Sequence, residues 1–247
     1  MQLLSRLLGR SAEFSAPLSP DKPFYVVGDV HGRSDLLEAL LSGLPERADR
    51  VVLVGDYIDR GDDSVGVLQY LWTLQHHLGP EKVVCLKGNH EDMLLRFIDD
   101  PARHANWLRT GGMQTLASFG LNVLRSEPDI GELIDLANTL RNTMGPELVS
   151  WMRALPTRWQ SGNVAVVHAG ADPQRPIAAQ DDHTCMWGHE NFMQMQRSDG
   201  VWVVHGHTIV ETPMAQNGVI SVDTGAFSSG KLTAALIAQS GVEFLST

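Results

Sequence analysis

The chain has few cysteines and no long hydrophobic run, and each of these features excludes particular kinds of protein. Its 247 residues include 2 cysteines, Cys85 and Cys185, which form no CxxC pair, so a disulfide framework and a thiolate zinc site are both excluded. No stretch reaches the roughly 18 continuous apolar residues that a membrane helix needs. The N-terminal sequence MQLLSRLLGR places arginine among its leucines, too early for the apolar core of a signal peptide. We therefore expect a cytoplasmic protein without a transmembrane segment.

Positive charge is also scarce. Lysine and arginine total 19 against 29 aspartates and glutamates, a formal net charge of −10. Such a surface repels a phosphate backbone unless a bound cation reverses the local field, so we expect no duplex nucleic acid partner. Hydrophobic residues make up 43% of the chain and charged residues 19%, which is typical of a globular protein and excludes disorder as its main state. We expect a monomer.

Apolar runs alternate with helical periodicity in the first hundred residues. Strands are predicted at 24–27, 51–54 and 83–86, with helices between them and a third helix from Met93. Repeated βα units with buried strands are typical of a parallel sheet covered by helices. We expect these strands to lie side by side.

The second half of the chain has a different pattern. Short strands separated by turn signals are predicted at 164–167, 201–204, 219–222 and 232–238. They predict a second sheet with antiparallel character. A mainly helical stretch, about 99–160, lies between the halves and is expected to be a cap-like insertion. The predicted organisation is an N-terminal tail at 1–22 and a single domain at 23–245.

Polar residues follow the ends of five predicted strands. They form the motifs GDVHG at 28–32, GDYIDRG at 55–61, GNHE at 88–91, HAG at 168–170 and HGHT at 205–208. Loops at the carboxyl ends of strands in an α/β sheet form its ligand crevice, so these motifs can converge on one point. Carboxylate, imidazole and amide ligands suit Mn, Fe, Zn or Mg, and six or seven of them exceed one tetrahedral site. Two metals close together would use them all, an arrangement that serves phosphoryl transfer.

These motifs, in this order, resemble the signature of the phosphoprotein phosphatase family of calcineurin-like metallophosphoesterases, in particular its bacterial serine/threonine phosphatases. The resemblance extends from about Phe24 to Ala238, nearly the whole chain. Five ordered motifs make a chance match negligible. The resemblance implies an α/β fold, a four-layer αββα sandwich of two mixed β-sheets packed face to face, flanked by helices and carrying a helical insertion.

The resemblance also implies two divalent metal ions, with Mn²⁺ expected and Fe or Zn as alternatives. Their six ligands would be Asp29, His31, Asp56, Asn89, His168 and His207. In the family pattern the first two bind one metal, the last three bind the other, and Asp56 bridges both. Metals so placed lower the pKa of a bridging water, which makes hydroxide available near neutral pH for in-line attack on phosphorus.

Three further residues receive catalytic roles from the resemblance. Arg60 would bind phosphate oxygens with its planar guanidinium, because a bidentate fork matches their geometry. His90 would be the general acid for the leaving oxygen, and Asp59 would hold His90 in its donating orientation. Asn89 would contact the substrate as well as the metal.

Other polar residues near the motifs have two open interpretations each. His205 and Asp223 would either support a metal ligand or serve the local structure, as a core histidine and a turn residue. Glu91 would stabilise the helix after GNHE through its dipole, or orient neighbouring groups. For Arg109, the interpretation as an exposed helix residue is favoured over the interpretation as a substrate contact. Gly111, in the segment 107–120, would let the insertion approach the cleft.

One position departs from the family pattern. Many bacterial relatives have a second phosphate-binding arginine in a segment like WIRExF after HAG, whereas this chain reads WGHENF at 187–192, with His189 in place of the arginine. A histidine is shorter, monodentate and charged only near or below its pKa, so the phosphate contact should weaken and depend on pH. His189 would make this weaker substrate contact, or only pack beside Trp187.

These residues predict a metal-dependent phosphomonoester hydrolase whose substrate is a phosphorylated protein or another phosphate ester. The main expectation is a serine/threonine phosphoprotein phosphatase, with phosphotyrosine as a further substrate. The alternative is a hydrolase of dinucleoside polyphosphates such as diadenosine tetraphosphate, which the short motifs do not distinguish. A catalytically inactive scaffold that binds phosphorylated partners is the remote alternative, because every expected ligand, the acid and Arg60 are present.

The substitution His189→Arg tests the role of His189. If this residue contacts phosphate, the arginine should lower KM and flatten the pH dependence of KM, because guanidinium stays charged across the working range. Steady-state kinetics between pH 6 and pH 9 measure both. An unchanged KM and pH profile would favour the packing interpretation.

Overall fold

The apolar runs at the start of the chain form the inner strands of one β-sheet, and those of the second half form most of another. The computed structural model describes residues 14–122 and 128–247. The first 13 residues, where the sequence favours a frayed terminal turn over a short amphipathic helix, lie outside the described residues. The strands within the described ranges are β1 (Phe24–Val27), β2 (Val51–Leu53), β3 (Val83–Cys85), β4 (Arg158–Ser161), β5 (Val164–Val167), β6 (Trp202–His205), β7 (Met214–Gln216), β8 (Val219–Ser221), β9 (Thr233–Ala238) and β10 (Gly241–Ser246).

Helices connect and cover these strands. They are α1 (Ser34–Gly43), α2 (Ser64–Leu78), α3 (Asn89–Asp99), α4 (Pro101–His104), α5 (Gly112–Ser118), α6 (Ile130–Met144), α7 (Pro146–Ala154), α8 (Asp182–Trp187) and α9 (Ala226–Ser229), with 3₁₀ segments at Ala105–Thr110 and Ile177–Ala179. In the part of the chain that the structure describes, no helix is both long and apolar enough to cross a bilayer.

The first sheet has the order β10-β9-β1-β2-β3. Strands β1, β2 and β3 are parallel. Tyr25 of β1 lies beside Val51 of β2, and Val51 lies beside Val83 of β3. The parallel arrangement expected from the βα repeats is therefore confirmed. Because α1 and α2 are the crossovers between these strands, the carboxyl ends of all three open at the same edge of the sheet.

The second sheet, with the order β4-β5-β6-β8-β7, corrects two predictions. Its central strands β5, β6 and β8 are parallel, and only the edge strands β4 and β7 are antiparallel. The run at 232–238 becomes β9, which belongs to the first sheet and pairs antiparallel with β1. An apolar run shows that a strand is buried but not which sheet buries it, so the sequence pattern could not place β9.

Three apolar layers hold the sheets and helices together. Residues alternate along β1, so Phe24 and Val26 face the second sheet and contact its side chains, while Val27 faces the helices. A smaller cluster on the far face of the second sheet includes Val203 and packs under α8 through Cys185. The result is helices outside two mixed sheets packed face to face, which confirms the predicted fold class.

The stretch 99–160 is largely helical, from α4 to α7, and then enters the second sheet at β4. Side chains of α6 and α7 join the same apolar layer as α1 and α2, for example Leu140 and Met152, both fully buried. The residues before β1 that the structure describes lie against the second sheet: the Trp202 indole nitrogen donates a hydrogen bond to the Ala16 carbonyl (2.9 Å), and Phe14 packs edge-on against Trp202.

Candidate metal centre

The five motifs follow β1, β2, β3, β5 and β6 and meet where both sheets present the carboxyl ends of their parallel strands. Within the described residues, five of the six non-glycine residues with positive φ belong to these motifs: His31 (45°), Asp56 (54°), Asp59 (72°), Arg60 (69°) and His207 (61°). Left-handed backbone is unfavourable for such residues and persists only where the surrounding structure enforces it. The loops are therefore held in one specific shape.

The loop after β2 and the loop after β3 touch backbone to backbone. A Cβ on Gly55 would lie 2.5 Å from the amide nitrogen of Gly88, and a Cβ on Gly88 would lie 2.4 Å from the amide nitrogen of Asp56. Only glycine fits at either position. This contact brings the Asp56 carboxylate to the start of α3, where its Oδ1 accepts a hydrogen bond from the backbone amide of His90 (3.0 Å).

Asp56 lies at the centre of two overlapping clusters of potential metal ligands. One cluster contains His31, Asp56 and His90, and the other contains Asp56, His168 and His207, with the ligand atoms of each cluster within 4.8 Å of one another. The amide oxygen of Asn89 lies 2.9 Å from His168 Nε2 and 2.9 Å from His207 Nδ1. A carboxylate shared between the two groups fits a residue that bridges two metals.

Backbone carbonyls fix the orientation of two of these histidines. Nδ1 of His31 lies 2.7 Å from the Ile58 carbonyl, and Nδ1 of His168 lies 3.2 Å from the Val54 carbonyl. Because a carbonyl oxygen can only accept, Nδ1 carries a proton in each ring, and this contact directs Nε2 into the site. This is the usual support of a metal-binding histidine.

Asp29 completes the predicted ligand set and is also buried there. Its two oxygens accept from the backbone amide of His207, at 3.0 and 3.2 Å. Burial and the neighbouring Asp223 carboxylate hold the pKa of Asp29 well above its usual range. Asp223 itself accepts from the backbone amide of Gly225 (2.8 Å), so it is both a turn residue and a charged neighbour of a predicted ligand.

The electrostatics of the cluster favour a bound cation. Burial lowers the pKa of His31 to about 3, so this ring is neutral and able to coordinate. Burial alone would also lower the pKa of His168, but the Asp56 and Asp29 carboxylates raise it to about 9. Buried carboxylates that raise the pKa of a neighbouring histidine would also stabilise a bound divalent cation. The clusters around Asp56 therefore fit a site for divalent metal, with the Asn89 amide oxygen and the Asp29 carboxylate next to their histidines.

His90 and Asp59 form a buried pair beside this cluster. His90 Nδ1 lies 2.6 Å from Asp59 Oδ2. Burial would lower the pKa of His90, but Asp56 and the hydrogen bond to Asp59 raise it. Asp59 Oδ2 also accepts from the Trp107 indole (2.9 Å), and Thr115 Oγ donates to Asp59 Oδ1 (2.5 Å). Trp107 and Thr115, both in the helical insertion, thus hold the His90–Asp59 pair in place.

Trp107 and Thr115 are site residues that the motif analysis missed, although the segment containing them had been singled out through Gly111. A Cβ on Gly111 would lie 2.8 Å from the Asp59 Cβ, so this glycine does let the insertion approach the site. Gly111, which permits this close approach, was the feature of the sequence that could have pointed to Trp107 and Thr115. Which side chains would use it depends on the packing of the insertion, and Arg109 remains an exposed helix residue.

Arg60 lies between His31 and His90. Its guanidinium nitrogens are 3.1 Å from His31 Nε2 and 3.2 Å from His90 Nε2. The guanidinium carbon lies 4.9 Å from the centre of the Phe227 ring, which also packs edge-on against His31 at 5.4 Å. Phe227 was not identified from the sequence. It follows β8 in the chain, and no motif marks it.

Glu91 links the two central loops, which combines both of its proposed roles. Its carboxylate is fully buried and accepts hydrogen bonds from the backbone amides of Asp56 (2.9 Å), Tyr57 (2.8 Å) and Gly88 (2.9 Å). The bond to Gly88 caps the start of α3. The other two hold the Asp56 turn, so Glu91 positions a predicted metal ligand.

Neither His205 nor His189 belongs to the clusters of potential metal ligands among the described residues. His205 is fully buried: its Nδ1 donates to the Gly206 carbonyl (2.8 Å), its Nε2 accepts from Ser221 Oγ (2.8 Å), and Phe192 packs edge-on against its ring. His205 is thus a satisfied core histidine. His189 Nδ1 accepts from the Asn191 amide (3.3 Å), and its Nε2 lies 4.0 Å from Asp172. Its role toward the substrate stays a prediction.

Comparison with known proteins points to phosphoester hydrolysis. Residues 22–211 match the family described as calcineurin-like phosphoesterase. The chain is 27% identical over 238 residues to bis(5'-nucleosyl)-tetraphosphatase PrpE (asymmetrical) of Oceanobacillus iheyensis, covering 85% of this chain and 86% of that protein.

Two solved structures share the fold. One is a candidate diadenosine tetraphosphatase (TM-score 0.62, 23% identity, 94% of this chain and 98% of that one). The other is a cold-active protein-tyrosine phosphatase from a psychrophilic Shewanella (TM-score 0.57, 21% identity, 93% and 83%). At these identities the structural likeness concerns the fold.

The buried His205 predicts a loss of stability in mild acid. Burial lowers its pKa from 6.5 to about 4, so the unfolded chain takes up the proton first and the stabilisation is lost as the pH falls from 6.5 towards 4. Between pH 7 and pH 5 the metal-stripped protein should lose about 2 kcal/mol of unfolding free energy through this residue. Denaturant unfolding of wild type and His205→Gln measures the difference. Equal losses in both proteins would contradict the assignment.

Proposed function

The chain belongs to the calcineurin-like phosphoesterase family, and from that premise we propose that it hydrolyses dinucleoside polyphosphates of the bis(5'-nucleosyl)-tetraphosphate class. The observation that carries the proposal is the similarity to a bis(5'-nucleosyl)-tetraphosphatase across 85% of the chain. This substrate was the alternative expectation from the sequence. It replaces the main expectation of a phosphoprotein, because the curated relatives favour the nucleotide.

The proposed metal ligands are those of the sequence analysis. Asp29, His31 and Asp56 are assigned to one divalent metal, and Asn89, His168 and His207 to the other together with Asp56. The convergence of His31, His168 and His207 on the Asp56 carboxylate supports the assignment, as does the Asn89 amide oxygen beside two of these histidines. Asp29 is placed next to the cluster by its contact with the His207 amide. When bound, two such cations would polarise phosphoryl oxygens and lower the pKa of water. Mn²⁺ is the metal we propose to test first.

The chain's own residues orient the substrate and supply a proton. Arg60 lies beside both His31 and His90, so its guanidinium can bind a phosphate oxygen while that phosphate is next to the ligand cluster. His90 is assigned the proton transfer to the leaving oxygen from Nε2. The hydrogen bond between His90 Nδ1 and Asp59 keeps the ring in the orientation that points Nε2 into the site.

The function is tested by hydrolysis with metal-stripped protein and added Mn²⁺. We expect diadenosine tetraphosphate to have a higher kcat/KM than phosphoserine, phosphothreonine and phosphotyrosine peptides, and to yield unequal nucleotide products, AMP and ATP. Asp56→Asn should lose at least about 100-fold of this activity, because the bridging position loses its charge. Preference for a phosphopeptide would overturn the substrate class. Full activity of Asp56→Asn would overturn the metal assignment.

The role of His90 predicts a dependence on the leaving group. His90→Asn should lose far more kcat on phenyl phosphate, whose leaving oxygen needs a proton, than on p-nitrophenyl phosphate, whose leaving group departs as an anion. Rates for the two esters, measured on wild type and variant with the same metal, give the comparison. Equal losses on both would contradict the role of His90 as an acid.

A further inference from the structure

Phe227 lies next to Arg60 in the candidate metal centre, on the short helix α9 that follows β8. We propose that Phe227 is a positioning residue, whose ring holds the Arg60 guanidinium at the site and leaves its N–H groups free for a substrate phosphate. The inference rests on the part of the proposed function that assigns the phosphate contact to Arg60. It does not depend on which phosphate ester is the substrate.

The ring and the guanidinium have the geometry of a cation–π contact. The guanidinium carbon of Arg60 lies over the Phe227 ring, 4.9 Å from its centre. A guanidinium within about 6 Å of a ring centre is attracted by the negative potential of the ring face. Phe227 is half-buried, so water screens this attraction less than it would at a fully exposed position. The contact therefore favours the orientation of Arg60 that the structure shows.

The Arg60 guanidinium has no carboxylate partner among the residues that the structure describes. Its nitrogens contact the rings of His31 and His90 instead. Arg33, in contrast, forms a bidentate pair with the Asp35 carboxylate, at 2.8 and 2.6 Å. A carboxylate would occupy the N–H groups that bind phosphate, and its charge would repel the phosphate. The surroundings of Arg60 avoid this competition.

An aromatic ring supports a guanidinium without competing for the anion. The Phe227 ring attracts the cation through its π face and carries no formal charge, so it does not repel a phosphate. It also leaves free the in-plane N–H groups with which a guanidinium binds phosphate oxygens. An arginine supported in this way is held in place and is still able to bind an anion.

The two histidine contacts of Arg60 are not available during the proposed reaction. His31 is assigned to a metal through Nε2, and His90 is assigned the proton that goes from Nε2 to the leaving oxygen. A nitrogen in either role has no lone pair with which to accept a hydrogen bond from Arg60. Among the described side chains that contact the guanidinium, Phe227 is then the support that remains.

The fold fixes the backbone that carries Phe227. Gly225 precedes α9 with a left-handed backbone (φ 69°), and its amide donates to the Asp223 carboxylate (2.8 Å). The carbonyl of the buried Ala226 accepts a hydrogen bond from the Arg33 guanidinium (3.1 Å), just before α1. These two hydrogen bonds anchor the residues that precede Phe227. The position of the ring is therefore set by the protein and not by Arg60.

Phe227 also contacts His31, which gives an alternative role. The two rings pack edge-on, with centroids 5.4 Å apart. If this contact were the important one, Phe227 would act through a predicted metal ligand. The two roles differ once Arg60 is removed, because a residue that acts through Arg60 then has no further effect.

The chain offers a matched control in Arg50 and Trp159. The guanidinium carbon of Arg50 lies 5.1 Å from the centre of the Trp159 ring, and Trp159, like Phe227, is half-buried. Arg50 immediately precedes β2, whereas the loop that carries Arg60 follows the same strand. Trp159→Leu therefore removes a ring from a guanidinium at the opposite end of this strand.

The experiment measures the binding of inorganic phosphate to the Mn²⁺-loaded protein by calorimetry, which requires no turnover. Phe227→Leu keeps an apolar side chain without a ring, and it should weaken phosphate binding about 5-fold, as expected for a partly buried cation–π contact. Phe227→Tyr keeps the ring and should stay within about 2-fold of wild type, and Trp159→Leu should match wild type. In an Arg60→Ala background, Phe227→Leu should have no further effect.

A second measurement tests the contact in the metal-stripped wild-type protein, without any substitution. Nuclear Overhauser effects between the side-chain protons of Arg60 and the ring protons of Phe227 should be present, because the guanidinium carbon lies 4.9 Å from the ring centre. Their absence would overturn the proposal, even if Phe227→Leu does not fold.

Three results of the binding experiment would also overturn the proposal: an unchanged phosphate affinity in Phe227→Leu, a loss as large in Phe227→Tyr, or the same loss in the Arg60→Ala background. The last result would assign Phe227 to His31. Phosphate binding that Arg60→Ala leaves unchanged would overturn the proposal through its premise. If the expected pattern is found but diadenosine tetraphosphate is not hydrolysed, the proposed substrate fails while the positioning role of Phe227 stands.

Discussion

The arrangement of the site depends on the groups that compensate the unfavourable burial of the Asp56 carboxylate. Only 2% of this residue is exposed, and an isolated charge in such a place is strongly unfavourable unless other groups compensate it. The chain surrounds it with His31 and His168, whose Nε2 atoms lie 3.5 and 3.4 Å from its oxygens, and with the amide of His90. Although burial alone would raise it, His168 and His90 hold the pKa of Asp56 well below its usual range. The residues that compensate this charge are the residues assigned to chemistry.

Glu91 fixes the positions of the two loops that surround the Asp56 carboxylate. Its three backbone hydrogen bonds join the turn after β2 to the start of α3, and the close approach of Gly55 and Gly88 leaves no space between the loops. The left-handed residues of the motifs can be maintained only in such surroundings. Rigid loops in turn keep Arg60 and His90 at fixed distances from the ligand cluster, which phosphoryl transfer requires.

The two sheets and the insertion contribute different parts of the site. The first sheet supplies Asp56 and the start of α3, and the second sheet supplies His168 and His207. The insertion supplies Trp107 and Thr115, which hydrogen-bond to Asp59 and so hold the His90–Asp59 pair. The candidate metal ligands and the side chains that hold the proposed acid thus come from separate parts of the fold.

The sequence by itself determined the strands at 24–27 and 164–167, the two-sheet α/β class and the convergence of the motifs, because these follow from local periodicity and from the geometry of parallel strands. It also identified Asp56 and His168 as candidate ligands before any distance was known. Only the tertiary structure decided that β9 pairs with β1 and that Trp107 and Phe227 reach the site. Each of these is a contact between segments far apart in the chain, and short-range patterns of apolar and polar residues carry no information about which distant surfaces meet.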